Sequence, residues 1–291
     1  MKISNPIIKG YFADPDAAVF DGKIYLYPTT DGNGWNASSF HVFSSVDMDA
    51  WTDEGIILDF DDVPWTEGKY AWAPAICEYH GKYYFYYSGN KNIGVAVSDR
   101  PTGPFVDIGK PLVAKEDYQI QVIDPDVFID DDDQPYLYFG NGKLYAAKLN
   151  ADMVSFASEP IDITPPHYNE GTCVFKRNGI YYYTWCCGDT RSPDYHVRYG
   201  KALSPMEKPL GDEIILHRDF AEDKRVRCTG HHTVLNIPGT DEWYILYHRF
   251  EANQFGNVET MDREAGSHRE LCADRLYFDD QGNIIPVKPT N

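Results

Sequence analysis

The chain has 291 residues and a net charge of −19, which argues against nucleic acid or anionic membrane surfaces as partners, because a polyanion is repelled. No apolar run approaches the roughly 18 residues of a membrane-spanning helix. The start, Met1-Lys2-Ile3-Ser4-Asn5-Pro6, lacks the hydrophobic region of a signal peptide, so a cytoplasmic location is expected.

In chain order, one pattern returns five times. Ala13-Asp14-Pro15-Asp16 leads through Val19-Phe20, an Asp21-Gly22 turn and Ile24-Tyr25-Leu26-Tyr27. Trp72-Ala73-Pro74 leads through Gly81-Lys82 to Tyr83-Tyr84-Phe85-Tyr86. Asp124-Pro125-Asp126 leads through an acidic turn to Tyr136-Leu137-Tyr138. Glu170-Gly171-Thr172 leads through Asn178-Gly179 to Tyr181-Tyr182-Tyr183, and Gly230-His231-His232 through Gly239 to Trp243-Tyr244-Ile245. Each copy continues into a third strand, such as His41 to Ser45 or Gly94 to Ser98. Repeats spaced near 50 residues, with about four strands each, are the signature of a β-propeller. The expected architecture is all-β, one five-bladed β-propeller catalytic domain over residues 1–291.

Aromatic side chains make up 15% of the chain, with 22 tyrosines. They suit half-buried pleated surfaces and also give flat faces for sugar rings. The six cysteines include no Cys-x-x-Cys pair, so a zinc site is not expected and buried free thiols are. Cys186 and Cys187, adjacent in a strand, should point to opposite faces. The tract Asp130 to Asp133 lacks the glycine and distal glutamate of an EF-hand loop and sits where sister units have hairpin turns, so it reads as a turn.

Innermost strands of a propeller all start at one end of the central channel. The five strand entrances should therefore bring Asp14, Trp72, Asp124, Glu170 and His231 to one funnel. Three carboxylates in one pocket repel each other, and burying them is costly unless they are used. Two carboxylates beside an aromatic wall fit cleavage of a glycosidic bond, one protonating the leaving oxygen and the other deprotonating water.

These motifs, with Ser45-Val46-Asp47-Met48-Asp49-Ala50-Trp51, Gly103-Pro104-Phe105 and the late Arg269-Glu270, resemble glycoside hydrolase family 43 over essentially the whole chain. The resemblance implies an inverting exo-glycosidase acting on plant-type oligosaccharides or polysaccharides, most simply an α-L-arabinofuranosidase. Alternatives are a β-xylosidase, an exo-β-1,3-galactanase, or a non-catalytic sugar-binding propeller. It implies Asp14 as general base, Glu170 as general acid, and Asp124 as the carboxylate that tunes the acid. Trp72 would be a pocket wall, and Arg269 would lie beside the sugar and the acid. His231 would contact a channel cation, calcium or sodium, through water or directly. No organic cofactor is implied. The chain departs from the family pattern at Thr172, where proline is common. It also ends at Asn291 without the C-terminal β-sandwich of many xylosidases, which weakens the xylosidase expectation. Inversion requires Asp14 and Glu170 to stand about 6.5–9.5 Å apart.

Overall fold

The structure, a computed structural model, describes residues 3–291. Twenty strands form five four-stranded antiparallel sheets, each running in chain order. Blade one is β1 (Phe12–Phe20), β2 (Lys23–Thr30), β3 (Ser39–Ser45) and β4 (Thr52–Asp59); blade two is β5 (Trp72–Tyr79), β6 (Lys82–Gly89), β7 (Asn92–Ser98) and β8 (Val106–Asp107). Blade three is β9 (Asp126–Ile129), β10 (Pro135–Phe139), β11 (Tyr145–Lys148) and β12 (Ile161–Asp162). Blade four is β13 (Glu170–Arg177), β14 (Ile180–Cys187), β15 (His196–Ala202) and β16 (Leu210–Leu216). Blade five is β17 (Gly230–Asn236), β18 (Trp243–Phe250), β19 (Arg269–Phe278) and β20 (Ile284–Ile285). The first strands touch in a ring, β1 to β5 to β9 to β13 to β17 and back to β1. This is the five-bladed propeller expected from the repeat.

Local sequence fixes the hairpins. Asp21-Gly22, His80-Gly81 and Asn178-Gly179 all have positive φ at both residues. That geometry suits two-residue turns whose twist matches the flanking strands. In blade three the turn is the acidic tract. Asp130 is tied there to Lys176 at 2.6 Å and to the Tyr181 hydroxyl at 2.5 Å, so its carboxylate is paired with the next blade.

Each hydrophobic core lies between two neighbouring blades. Tyr27, Phe40, Phe85 and Tyr87 pack between blades one and two, and Tyr182, Trp243 and Tyr247 between blades four and five. The tyrosines also clasp. Tyr27, Tyr86, Tyr138 and Tyr182 each donate a hydroxyl to a backbone carbonyl of the following blade, at Pro101, Met153, Pro205 and Gly282. A buried tyrosine needs such an acceptor, and the next blade supplies one at each of these four junctions. All six cysteines are free, with Cys186 in the core between blades four and five and Cys187 in the one between three and four. The ring closes where the beginning of the chain meets its last blade. The Ile7 amide donates to the Leu271 carbonyl at 2.9 Å, and the Ala273 amide to Asn5 Oδ1 at 2.8 Å.

Candidate active site

The site begins with a bulge. In β1 the ladder slips between Ala13 and Asp16, in β5 between Trp72 and Ala75, in β13 between Glu170 and Cys173, and in β17 between Gly230 and His232. The extra residue has positive φ: Asp14, Ala73, Gly171 and His231, joined by Asp124 just before β9. A bulge re-aims a side chain, and a non-glycine residue held there costs of order 1 kcal/mol or more. Four of the five positions accept that cost.

The strain is compensated by the neighbouring blade. The Asp14 amide donates to His248 Nδ1 (3.3 Å), that of Ala73 to Thr29 Oγ1 (2.7 Å), that of Asp124 to Ser88 Oγ (3.0 Å) and that of His231 to Cys186 Sγ (3.0 Å). The Gly171 amide donates to Asp124 itself at 3.2 Å. Here the expected equivalence of five entrances needs correction. Asp14 and His231 occupy the bulge and Asp124 the matching positive-φ position before β9, whereas Trp72 and Glu170 stand one residue earlier, before Ala73 and Gly171. Glu170 therefore leaves its strand at a different point from the two aspartates.

All six expected residues, Asp14, Trp72, Asp124, Glu170, His231 and Arg269, line one cavity of about 560 Å³ at the strand entrances. Asp14 and Glu170 come from blades one and four, which are not neighbours in the ring, so they face each other across the channel. Arg269 is fully enclosed and holds two carboxylates: Nη1 donates to Asp14 Oδ1 at 2.8 Å, and Nε to Asp31 Oδ2 at 2.7 Å. Its ion-pair partners are the expected base and Asp31, because β19 starts beside blade one.

The electrostatics separate the carboxyls. Burial alone would raise Asp14, but the Arg269 guanidinium, then His231 and His248, outweigh it and hold the group well below the usual carboxylate range. Glu170 moves the other way. Burial and the charges of Asp14 and Asp189 push it up to about 7, against hydrogen bonds from the Tyr195 hydroxyl (2.9 Å) and the Asn141 amide (2.7 Å). Asp124 is raised well above the carboxylate range by burial, then by Glu170 and Asp14. Asp124 and Glu170 thus titrate as a pair that retains a proton near neutral pH, while Asp14 is ionised.

Sequence reasoning misses several residues, some lining the cavity, such as Asn141 and Asp189, and some with side chains buried behind its wall, such as His248 and Asp31. His248 reads in the sequence as part of a strand end. It lies inside β18, buried, with Nδ1 3.1 Å from Asp14 Oδ1 and Nε2 3.3 Å from Thr190 Oγ1. Its ring stacks on Tyr195 at 5.7 Å. Gly230 makes that stack possible, since a Cβ there would lie 2.3 Å from the Tyr195 ring. Asp31, Asn141 and Asp189 do share a signal within the repeat. Each follows the second strand of its unit within two residues, at the funnel end.

The Tyr195 contact gives a test. Its hydroxyl favours ionised Glu170, so Tyr195→Phe should move the alkaline limb of the kcat/KM profile to higher pH, upward from about 7. An unmoved or lowered limb contradicts this assignment.

The cation implied at His231 can be weighed against the donors present. Burial, partly opposed by Asp14, lowers the pKa of His231 and leaves a neutral imidazole, whose Nδ1 lies 3.3 Å from Asp14 Oδ1. Among the described residues no three His, Cys, Asp or Glu side chains converge as a metal set. One imidazole beside Asp14 does not make the set of several protein ligands that a transition metal draws, and a hard ion there would have to take most of its oxygen ligands from water.

An ionised carboxylate facing, across the funnel, a carboxyl pair that retains a proton is the arrangement of a glycoside hydrolase site. The match to known proteins agrees. Residues 3–284 match the model of glycosyl hydrolases family 43, and the chain belongs to that family. It is 34% identical to a β-D-galactofuranosidase of Aspergillus niger, over 99% of this chain and 86% of that protein. It is 30% identical to xylosidase/arabinosidase 43A of Humicola insolens, over 96% of this chain and 97% of that protein. An α-L-arabinofuranosidase structure from Clostridium thermocellum superposes with a TM-score of 0.78 at 28% identity, covering 96% of this chain and 94% of that one.

Proposed function

We propose that this glycoside hydrolase inverts and is exo-acting, releasing a terminal α-L-arabinofuranosyl unit from arabinan, from arabinoxylan side chains or from their oligosaccharides. The observation that carries the reading is the opposed ionisation of Asp14 and Glu170 on non-adjacent blades. Water between Asp14 and the anomeric carbon gives its proton to Asp14 as its oxygen bonds to that carbon. The glycosidic bond breaks on the other side, and Glu170 passes its proton to the leaving oxygen. Arg269 keeps Asp14 ionised and oriented at every working pH. It also makes Asp14 a weak base, which suits an oxocarbenium-like transition state needing little push from water. Asp124 positions Glu170 by accepting the Gly171 amide and shares its proton. Trp72, fixed by donating Nε1 to the Trp35 carbonyl at 3.1 Å, supports the sugar as a wall.

A calcium or sodium ion, with His231 and water around it, would supply positive potential below the carboxylates and make no bond to substrate. Exhaustive chelation is expected to lower the melting temperature or slow turnover. If neither changes and elemental analysis of active enzyme finds no metal, His231 serves without an ion.

The sugar preference leans on relatives whose names include arabinosidase and α-L-arabinofuranosidase. The Aspergillus niger relative supports a second reading, a β-D-galactofuranosidase, since both sugars are furanosides. Aryl α-L-arabinofuranoside, β-D-galactofuranoside and β-D-xyloside, followed by defined oligosaccharides, separate these readings. The arabinofuranoside should give the highest kcat/KM, and preference for either other sugar replaces the reading.

A further inference from the structure

We propose that Ser88, buried behind the funnel wall, is a positioning residue for the acid. It holds Asp124 in the left-handed conformation from which the Asp124 carboxylate takes the Gly171 amide, and so sets the place of Glu170. The proposal rests on the reading of Glu170 as general acid, but not on which terminal sugar is removed. Ser88 is fully buried and is not among the residues that line the cavity, so it cannot touch substrate.

The role follows from a position that all five blades share. Near the end of each second strand, one residue lies opposite the residue that precedes the left-handed one. Thr29 lies opposite Ala13, Ser88 opposite Trp72, Cys186 opposite Glu170 and His248 opposite Gly230. In blade three the matching residue is Gly140, whose amide donates to the Ile123 carbonyl at 2.9 Å. In the other four blades this side chain accepts the amide of the left-handed residue in the following blade. Thr29 takes that of Ala73, Ser88 that of Asp124, Cys186 that of His231 and His248 that of Asp14. Blade three breaks the rule. Gly140 has no side chain, and a Cβ there would lie 2.2 Å from the Lys143 carbonyl oxygen, on a backbone with φ of 130°. The amide it would have capped is that of Gly171, which goes instead to Asp124 Oδ2 at 3.2 Å.

Ser88 and Gly140 thus act on one carboxylate from two sides. Ser88 supplies, at 3.0 Å, the acceptor for an Asp124 amide turned by a φ of 57°. A buried amide without an acceptor is unfavourable, and a non-glycine residue in this region persists only where its surroundings hold it. Gly140 leaves the Gly171 amide to Asp124. Glu170 is joined to Gly171 by that same peptide, and its carboxyl meets the Asn141 amide and the Tyr195 hydroxyl. A shift of the peptide therefore moves the acid relative to both. Without the Ser88 hydroxyl, Asp124 relaxes toward ordinary extended backbone and its carboxylate leaves Gly171. The acid then loses its fixed direction toward the leaving oxygen, while Asp14, held by Arg269 and His248 from blade five, keeps its place.

Ser88→Ala is expected to lower kcat on natural glycosides about tenfold or more, because a misplaced general acid forfeits part of its contribution. On an aryl glycoside with an acidic phenol, which needs little protonation, kcat should stay within about threefold of the parent, and KM within about twofold on both substrates. Ser88→Thr, which carries the acceptor of blade one, should restore turnover of natural glycosides. Thr29→Ala removes the equivalent bond beside Trp72, and any loss there should fall equally on both substrate types. If Ser88→Ala does not fold, Ser88→Cys takes its place. Sulfur accepts more weakly than oxygen, so a loss of about threefold confined to natural glycosides is expected, and parent-like turnover overturns the proposal. A folded Ser88→Ala enzyme overturns it by keeping natural-glycoside kcat within about twofold of the parent, by losing equally on both substrate types, or by gaining nothing when threonine replaces alanine. Glu170→Gln separates this failure from failure of the acid reading. Equal losses on both substrate types in Glu170→Gln remove the acid, whereas a discriminating Glu170→Gln beside an indifferent Ser88→Ala removes only the positioning role.

Discussion

Asp14→Asn is expected to abolish turnover of every substrate, aryl glycosides included, with a loss of about a hundred- to ten-thousandfold in kcat. The argument is in the order of proton transfers. An activated leaving group removes the need for an acid, but water must still lose a proton as it attacks, and asparagine cannot take it. Asparagine keeps the shape of the side chain. Arg269 keeps its bonds to Asp31 at 2.7 and 2.9 Å, so the buried guanidinium retains a counter-charge and the variant should fold. Circular dichroism and melting temperature check that point. A folded Asp14→Asn enzyme that keeps a tenth or more of its activity would remove Asp14 from the role of base.

Glu170→Gln should discriminate between substrates. Natural glycosides leave as poor alkoxides and should lose about a hundred- to ten-thousandfold. Aryl glycosides with acidic phenols need little proton donation and should lose far less. Glutamine can still meet the Asn141 and Tyr195 hydrogen-bonding groups, so orientation changes little. The alkaline limb near 7 should vanish on the aryl substrate, because its titrating group is gone. Equal losses on both substrate types would mean that Glu170 is not the acid.

The two variants probe what the sequence made legible and what it did not. The five-fold return of an acidic or aromatic residue before a β run, with Asp-Gly and Asn-Gly turns behind it, was enough to place the blades, because turn chemistry and period-2 patterning are local. Strand polarity brought Asp14, Trp72, Asp124, Glu170 and His231 to the funnel, and the family resemblance added Arg269. What stayed hidden depends on backbone geometry and on neighbours distant in sequence. No local rule announces that Ala73 and Gly171, not Trp72 and Glu170, take the left-handed bulge position. His248 looks like a strand residue because its importance lies in contacts with Asp14, 234 positions away. The pairing of Arg269 with Asp14 and Asp31 was equally hidden, since it depends on how blade five closes onto blade one. The tyrosines, legible as sheet packing and sugar platforms, also include the four interblade clasps, whose acceptors lie in loops of the next repeat.

The stereochemistry of the first product tests the central claim most directly. Proton NMR of a reaction followed from its first seconds, before mutarotation, reports which anomer leaves the enzyme. Asp14 acting through water from across the channel, with Glu170 on the leaving oxygen, should give the anomer opposite to the substrate's. Release of the same anomer would require a covalent glycosyl intermediate on a carboxylate close to the anomeric carbon, and would contradict the assignment of Asp14 as a base.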